Sequence, residues 1–156
     1  MKVRSIAFTF ALCVLALSVS FAQNANLGTW KLNEAKSTIP AGVGKNTTVV
    51  YSAVDSDIKI TTDGVDGTGK PAHTDWTGKF DGKPYAVTGD PNVTFRAYKT
   101  KNHLLLLANM KGDKTVSNGK IKLAKDGKTR TLEITYFGED GKKKTKTHAT
   151  YFYEKQ

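Results

Sequence analysis

The sequence predicts an all-β protein, an up-and-down antiparallel barrel of about eight to ten strands. Three observations carry that prediction. Short runs rich in Val, Ile, Thr, Tyr and Phe alternate apolar with polar residues, which is the period of a strand with one buried face. Turn signals separate these runs about every 8–12 residues. They include five Asp-Gly dipeptides, at Asp63-Gly64, Asp66-Gly67, Asp81-Gly82, Asp126-Gly127 and Asp140-Gly141, and this pair accepts the positive φ of tight hairpins. No helical period competes in the chain beyond residue 22.

The first element is an export signal. Lys2 and Arg4 precede an apolar run from Ile6 to Leu17, and the small residues Ser20 and Ala22 follow, so cleavage is expected before Gln23. The run falls short of the roughly 20 residues that a permanent membrane anchor needs. Cys13 lies inside it, preceded by Leu12 where a lipid-attachment site would want a small residue. The chain's single cysteine is therefore expected to leave with the signal, and the mature chain holds no disulfide. The organisation predicted is a secretory signal over 1–22 and one β-barrel domain over 23–156, located in the periplasm or outside the cell. Loss of Lys2 and Arg4 leaves 22 basic against 14 acidic residues, a net charge of +8. That balance serves solubility first and favours anionic envelope components as partners second.

Ten strands follow in order: Leu27–Asn33, Thr47–Val54, Asp57–Thr62, Ala72–Phe80, Pro84–Thr88, Val93–Thr100, His103–Met110, Lys114–Ala124, Thr129–Phe137 and Lys143–Glu154. In the ninth, Leu132, Ile134 and Tyr136 share one face and Thr131, Glu133 and Thr135 the other. In the tenth, Thr147, Ala149, Tyr151 and Tyr153 oppose Lys146, His148 and Thr150. Leu104–Leu107 is apolar on both faces, so the seventh strand is expected to be central, or covered outside by the loop from Glu34 to Lys45. Successive hairpins that close on themselves remove exposed edges. At this strand number the interior becomes wide enough for a small ligand.

The segment Gly28-Thr29-Trp30 resembles the Gly-x-Trp first strand of lipocalins and other calycins. That resemblance implies a lipocalin- or fatty-acid-binding-protein-like barrel whose tryptophan closes one end and packs against a basic residue from late in the chain, here Lys155 or Lys146. A longer likeness runs from Gly28–Ser37 through Phe80–Gly89 and Lys125–Thr129 to Tyr153-Glu154-Lys155. Over these stretches the chain is similar to a family of uncharacterised secreted bacterial lipocalin-like proteins. This implies fold, export and a bacterial source, and carries no activity.

The residues supply little chemistry beyond that. Nucleophile-elbow, zinc-protease and phosphate-loop patterns are missing, so no enzyme, cofactor or metal centre is expected. His73 and Asp75 share a strand face but have no third ligand at a telling spacing, and read as solvent-facing. Asp63–Gly69 lacks the spacing of a calcium loop and reads as a hairpin connection. Lys142–Lys146 comes without RNA-stacking residues and reads as a solvated strand rather than a nucleic-acid site. The leading expectation is a module that binds a small apolar or amphipathic ligand among inward aromatics, with Trp30, Tyr51, Trp76, Phe95, Tyr136 and Tyr151 as candidates. The alternative is an envelope interaction protein with a filled core that works through its basic surface.

Overall fold

The computed structural model describes residues 25–138 and 146–156. The predicted signal, Cys13, Asp140-Gly141 and most of the Lys142–Lys146 stretch lie outside the described residues. Ten strands close into one barrel: β1 (Gly28–Leu32), β2 (Lys45–Val54), β3 (Asp57–Val65), β4 (Pro71–Gly78), β5 (Asp81–Thr88), β6 (Phe95–Lys101), β7 (Leu104–Lys111), β8 (Lys114–Leu123), β9 (Thr129–Phe137) and β10 (Lys146–Lys155). Each pairs antiparallel with its sequence neighbours, and β1 closes the ring by pairing with β10 as well as β2. The up-and-down barrel expected from the alternation is the architecture observed.

Alternation places the core on the inner face. Trp30, Tyr51, Ile60, Trp76, Tyr98, Leu105, Ile121, Ile134, Tyr151 and Tyr153 are all buried. Burying a large apolar side chain is worth roughly 1.5–3 kcal/mol, and a one-residue slip would turn such a strand's whole set outward. The register is fixed accordingly.

Two expectations need correction. Asp63-Gly64 is not a turn but part of β3, opposite a bulge between Asn46 and Thr48. A Cβ at Gly64 would lie 2.0 Å from the Lys45 carbonyl oxygen, so only glycine lets the two backbones approach there. The turn falls instead at Asp66, whose carboxylate accepts from the backbone N–H groups of Thr68 and Lys70 and from the Thr68 hydroxyl. The connection after β1 does not cover β7. It makes a single 3-10 turn at Glu34–Lys36 capped by Asn33, bridges β10 through Thr38 and Thr150, and lies against the β3–β4 turn, where Gly42 meets Gly67. Leu104 and Leu106 therefore stay partly exposed on the outer surface.

The wall has one seam. Between β4 and β5 only Asp75 with Thr88 and Trp76 with Val87 are paired. Below them aromatic rings fill the gap: Trp76 meets Tyr98 edge-on at 4.8 Å between centroids, Tyr85 at 5.8 Å and Phe80 at 6.2 Å. The Trp76 indole N–H donates to the Arg96 carbonyl at 2.9 Å. Gly78 leaves the space that the Tyr85 ring occupies, since a Cβ there would sit 2.5 Å from the ring. Gly78→Ala is expected to lower unfolding stability by about 1–3 kcal/mol through overpacking, read as a shift of the urea midpoint. An unshifted midpoint would show that the ring is not needed at the seam.

Candidate functional site

The barrel encloses a cavity of about 1050 Å³. It reaches the turns between β3 and β4, β5 and β6, and β7 and β8, through Asp66, Asp90, Lys111 and Lys114, and none of the turns at the other end. One end is therefore a mouth, and the end that carries Trp30 is a floor.

Polar groups line the walls in an ordered way. Arg96 on β6, Asn109 on β7 and Ser117 on β8 sit in one row across three strands. The Arg96 Nε donates to the Asn109 Oδ1, and the Asn109 Nδ2 donates to the Ser117 hydroxyl at 2.8 Å. Each of the three is buried, so the row fixes the Asn109 amide in one orientation. Toward the mouth, the Tyr151 hydroxyl donates to the Gly44 carbonyl at 2.8 Å. Its proton is thereby committed, so Tyr136 donates to Tyr151 across 3.1 Å. Tyr153 donates to the Asn46 carbonyl at 3.0 Å. Burial pushes the Tyr98, Tyr151 and Tyr153 hydroxyls far above the ordinary phenol range, with the Arg96 and Arg130 charges opposing that shift at Tyr98 and the Arg130 charge opposing it at Tyr153. All three stay neutral at any physiological pH.

At the floor Arg130 on β9 is only 3% exposed. Its guanidinium lies 4.4 Å from the Trp30 ring centroid, 4.6 Å from Tyr51 and 5.2 Å from Tyr153, which are cation–π distances. The basic partner of Trp30 thus comes from β9. Lys155 adds its ammonium 5.3 Å from the same ring, whereas Lys146 pairs with Phe137 at the opposite end of the strand.

Of the six aromatic candidates, Tyr51, Tyr136 and Tyr151 line the cavity. Trp30 and Trp76 are fully shielded core beneath it. Phe95 is a correction: it points outward and is 41% exposed, because Arg96 and Tyr98 take the inner positions of β6. Arg96, Arg130, Asn109 and Ser117 were not among the candidates. The signal for Arg130 was in the alternation, since it is in phase with Leu132, Ile134 and Tyr136, and a charge on a core face is the informative exception.

His73 stands at the mouth on the outside of β4, exposed as expected, between two carboxylates: Asp63 at 2.6 Å and Asp75 at 3.2 Å. Asp75 also accepts from Thr61 at 2.7 Å and meets Lys59 at 3.2 Å. No cluster of three or more metal-ligating side chains occurs among the described residues. Neither protein-family models nor the curated proteins contain a match to this chain.

The hydrogen bond to Asp63, then that to Asp75, raises the His73 pKa above 6.5. Folding thus favours the protonated ring. The associated stability is full below about pH 6.5 and is lost as pH rises through the folded value. An NMR titration of His73 should give a midpoint above 6.5, and Asp63→Asn should move it down. A midpoint at or below 6.5 in the unsubstituted protein would contradict the geometry.

Proposed function

We propose that this domain is a container that takes a small amphipathic molecule into the barrel interior. The observation that carries the reading is the cavity: about 1050 Å³, open at one end, within a closed wall. Ligand sites typically occupy about 300–1,000 Å³ and combine apolar walls with a few fixed polar groups. Leu107, Ile121 and Ile134 supply such walls here, and the Arg96–Asn109–Ser117 row supplies fixed polar groups. A packed barrel acting through its basic outer face would require an interior without that space, so the cavity weighs against the alternative.

The test is direct titration with a fluorescent apolar probe, N-phenyl-1-naphthylamine. The protein should bind it with a blue shift, and Leu107→Trp, which places an indole in the cavity, should weaken binding by about tenfold or more while circular dichroism shows the β signal retained. An unsubstituted protein that binds nothing, or a variant that binds equally well, would overturn the reading.

We further propose that the container is exported, on the strength of the Lys2–Ala22 pattern alone. Expressed in a Gram-negative host, the full chain should appear in the periplasmic fraction with Gln23 as its first residue by intact mass. A chain that retains residues 1–22 and stays in the cytoplasm would refute export.

A further inference from the structure

Among the described residues, the charges inside the barrel have no countercharge. Beyond Arg4 the chain contains only two arginines, Arg96 and Arg130, and both are buried against the cavity. No described lysine is buried. The ion pairs among the described residues all join lysine or histidine to carboxylates on partly or wholly exposed side chains, and none reaches either arginine. The Nε and Nη1 atoms of Arg130 are shielded from solvent and have no hydrogen-bond partner among the described residues. A guanidinium cannot shed its proton to escape such a site. Aromatic rings compensate part of a buried cation's lost hydration, and an anion compensates far more. Both guanidinium groups line this one cavity, Arg96 in the row with Asn109 and Ser117 and Arg130 at the floor against Tyr51 and Tyr153.

The rings around that volume narrow the class further. Tyr51, Tyr98, Tyr136, Tyr151 and Tyr153 all line the cavity, and Tyr151 and Tyr153 are held nearly parallel, 21° apart with centroids at 6.5 Å. Flat faces next to guanidinium planes suit a flat guest better than a flexible chain. We propose that the barrel binds an aromatic organic acid, with its carboxylate or sulfonate toward Arg130 and Arg96 and its ring system against the tyrosines. This rests on the container reading above and specifies what is contained.

Two dyes differing by one charged group make the test. The aromatic sulfonate 8-anilino-1-naphthalenesulfonate and the uncharged N-phenyl-1-naphthylamine share the same rings. The sulfonate should bind at least about tenfold more tightly at low salt. Arg130→Met and Arg96→Met should each remove most of that preference, read as the ratio of the two dyes' affinities for the same folded variant. Equal affinity of the two dyes for the unsubstituted protein would overturn the proposal even if a variant failed to fold, as would folded variants that keep the preference. In competition, 1-naphthoate should displace the bound sulfonate at lower concentration than dodecanoate does. The reverse order would overturn the aromatic assignment. Binding of the uncharged dye without any charge preference would refute this inference alone, whereas binding of neither dye would refute the container as well.

Discussion

The structure depends on a five-residue strand. β1 is hydrogen-bonded on both sides, Lys31 facing Thr48 of β2 and Glu154 of β10. Without it β2 and β10 would be open edges and the interior a groove. The chain secures the strand at its exit: the Asn33 backbone N–H donates to the Phe152 carbonyl, the Ser37 hydroxyl accepts from the Phe152 N–H, and Thr38 exchanges backbone hydrogen bonds with Thr150. Trp30, at the centre of β1, is also the largest surface on which the Arg130 guanidinium lies. The element that closes the wall thereby makes the floor of the cavity.

The second organising feature is a division between the two kinds of cation. Lysine is a strongly hydrated point charge on a flexible stem, and arginine is a flat, weakly hydrated plane that stacks on rings. The described lysines stay at the surface, and the two arginines go inside among tyrosines. Net charge therefore describes the outer surface, while the character of the interior is set by two residues. The phenols complete it by donating to backbone carbonyls of β2 and the loop before it, at Gly44 and Asn46, and so tie that segment to β10.

All ten strands were legible from alternation and turn residues, because both are local consequences of a half-buried sheet. The ninth was legible to the residue, Thr129–Phe137. The site was half legible. Tyr51, Tyr136 and Tyr151 share faces with aliphatic neighbours and were found by that company. Phe95 misled because hydrophobicity alone set the phase of β6; the inner position belongs to Arg96, whose charge is accommodated by Asn109, a partner thirteen residues away that no local pattern reveals. Asp63-Gly64 misled for a similar reason. Its glycine answers to a neighbouring strand's backbone rather than to a turn, and neighbours in space are not written in the order of the chain.

The seam between β4 and β5 sets this barrel apart from one laced by hydrogen bonds all the way round. There the wall consists of the rings of Phe80 and Tyr85 packed on Trp76, and a ring can be exchanged for a larger or smaller side chain without cutting a ladder. The packing of the wall is thus adjustable at one place while every register elsewhere stays fixed. A lineage that keeps this topology can therefore repack its wall at two positions, Phe80 and Tyr85, without disturbing the register of any strand.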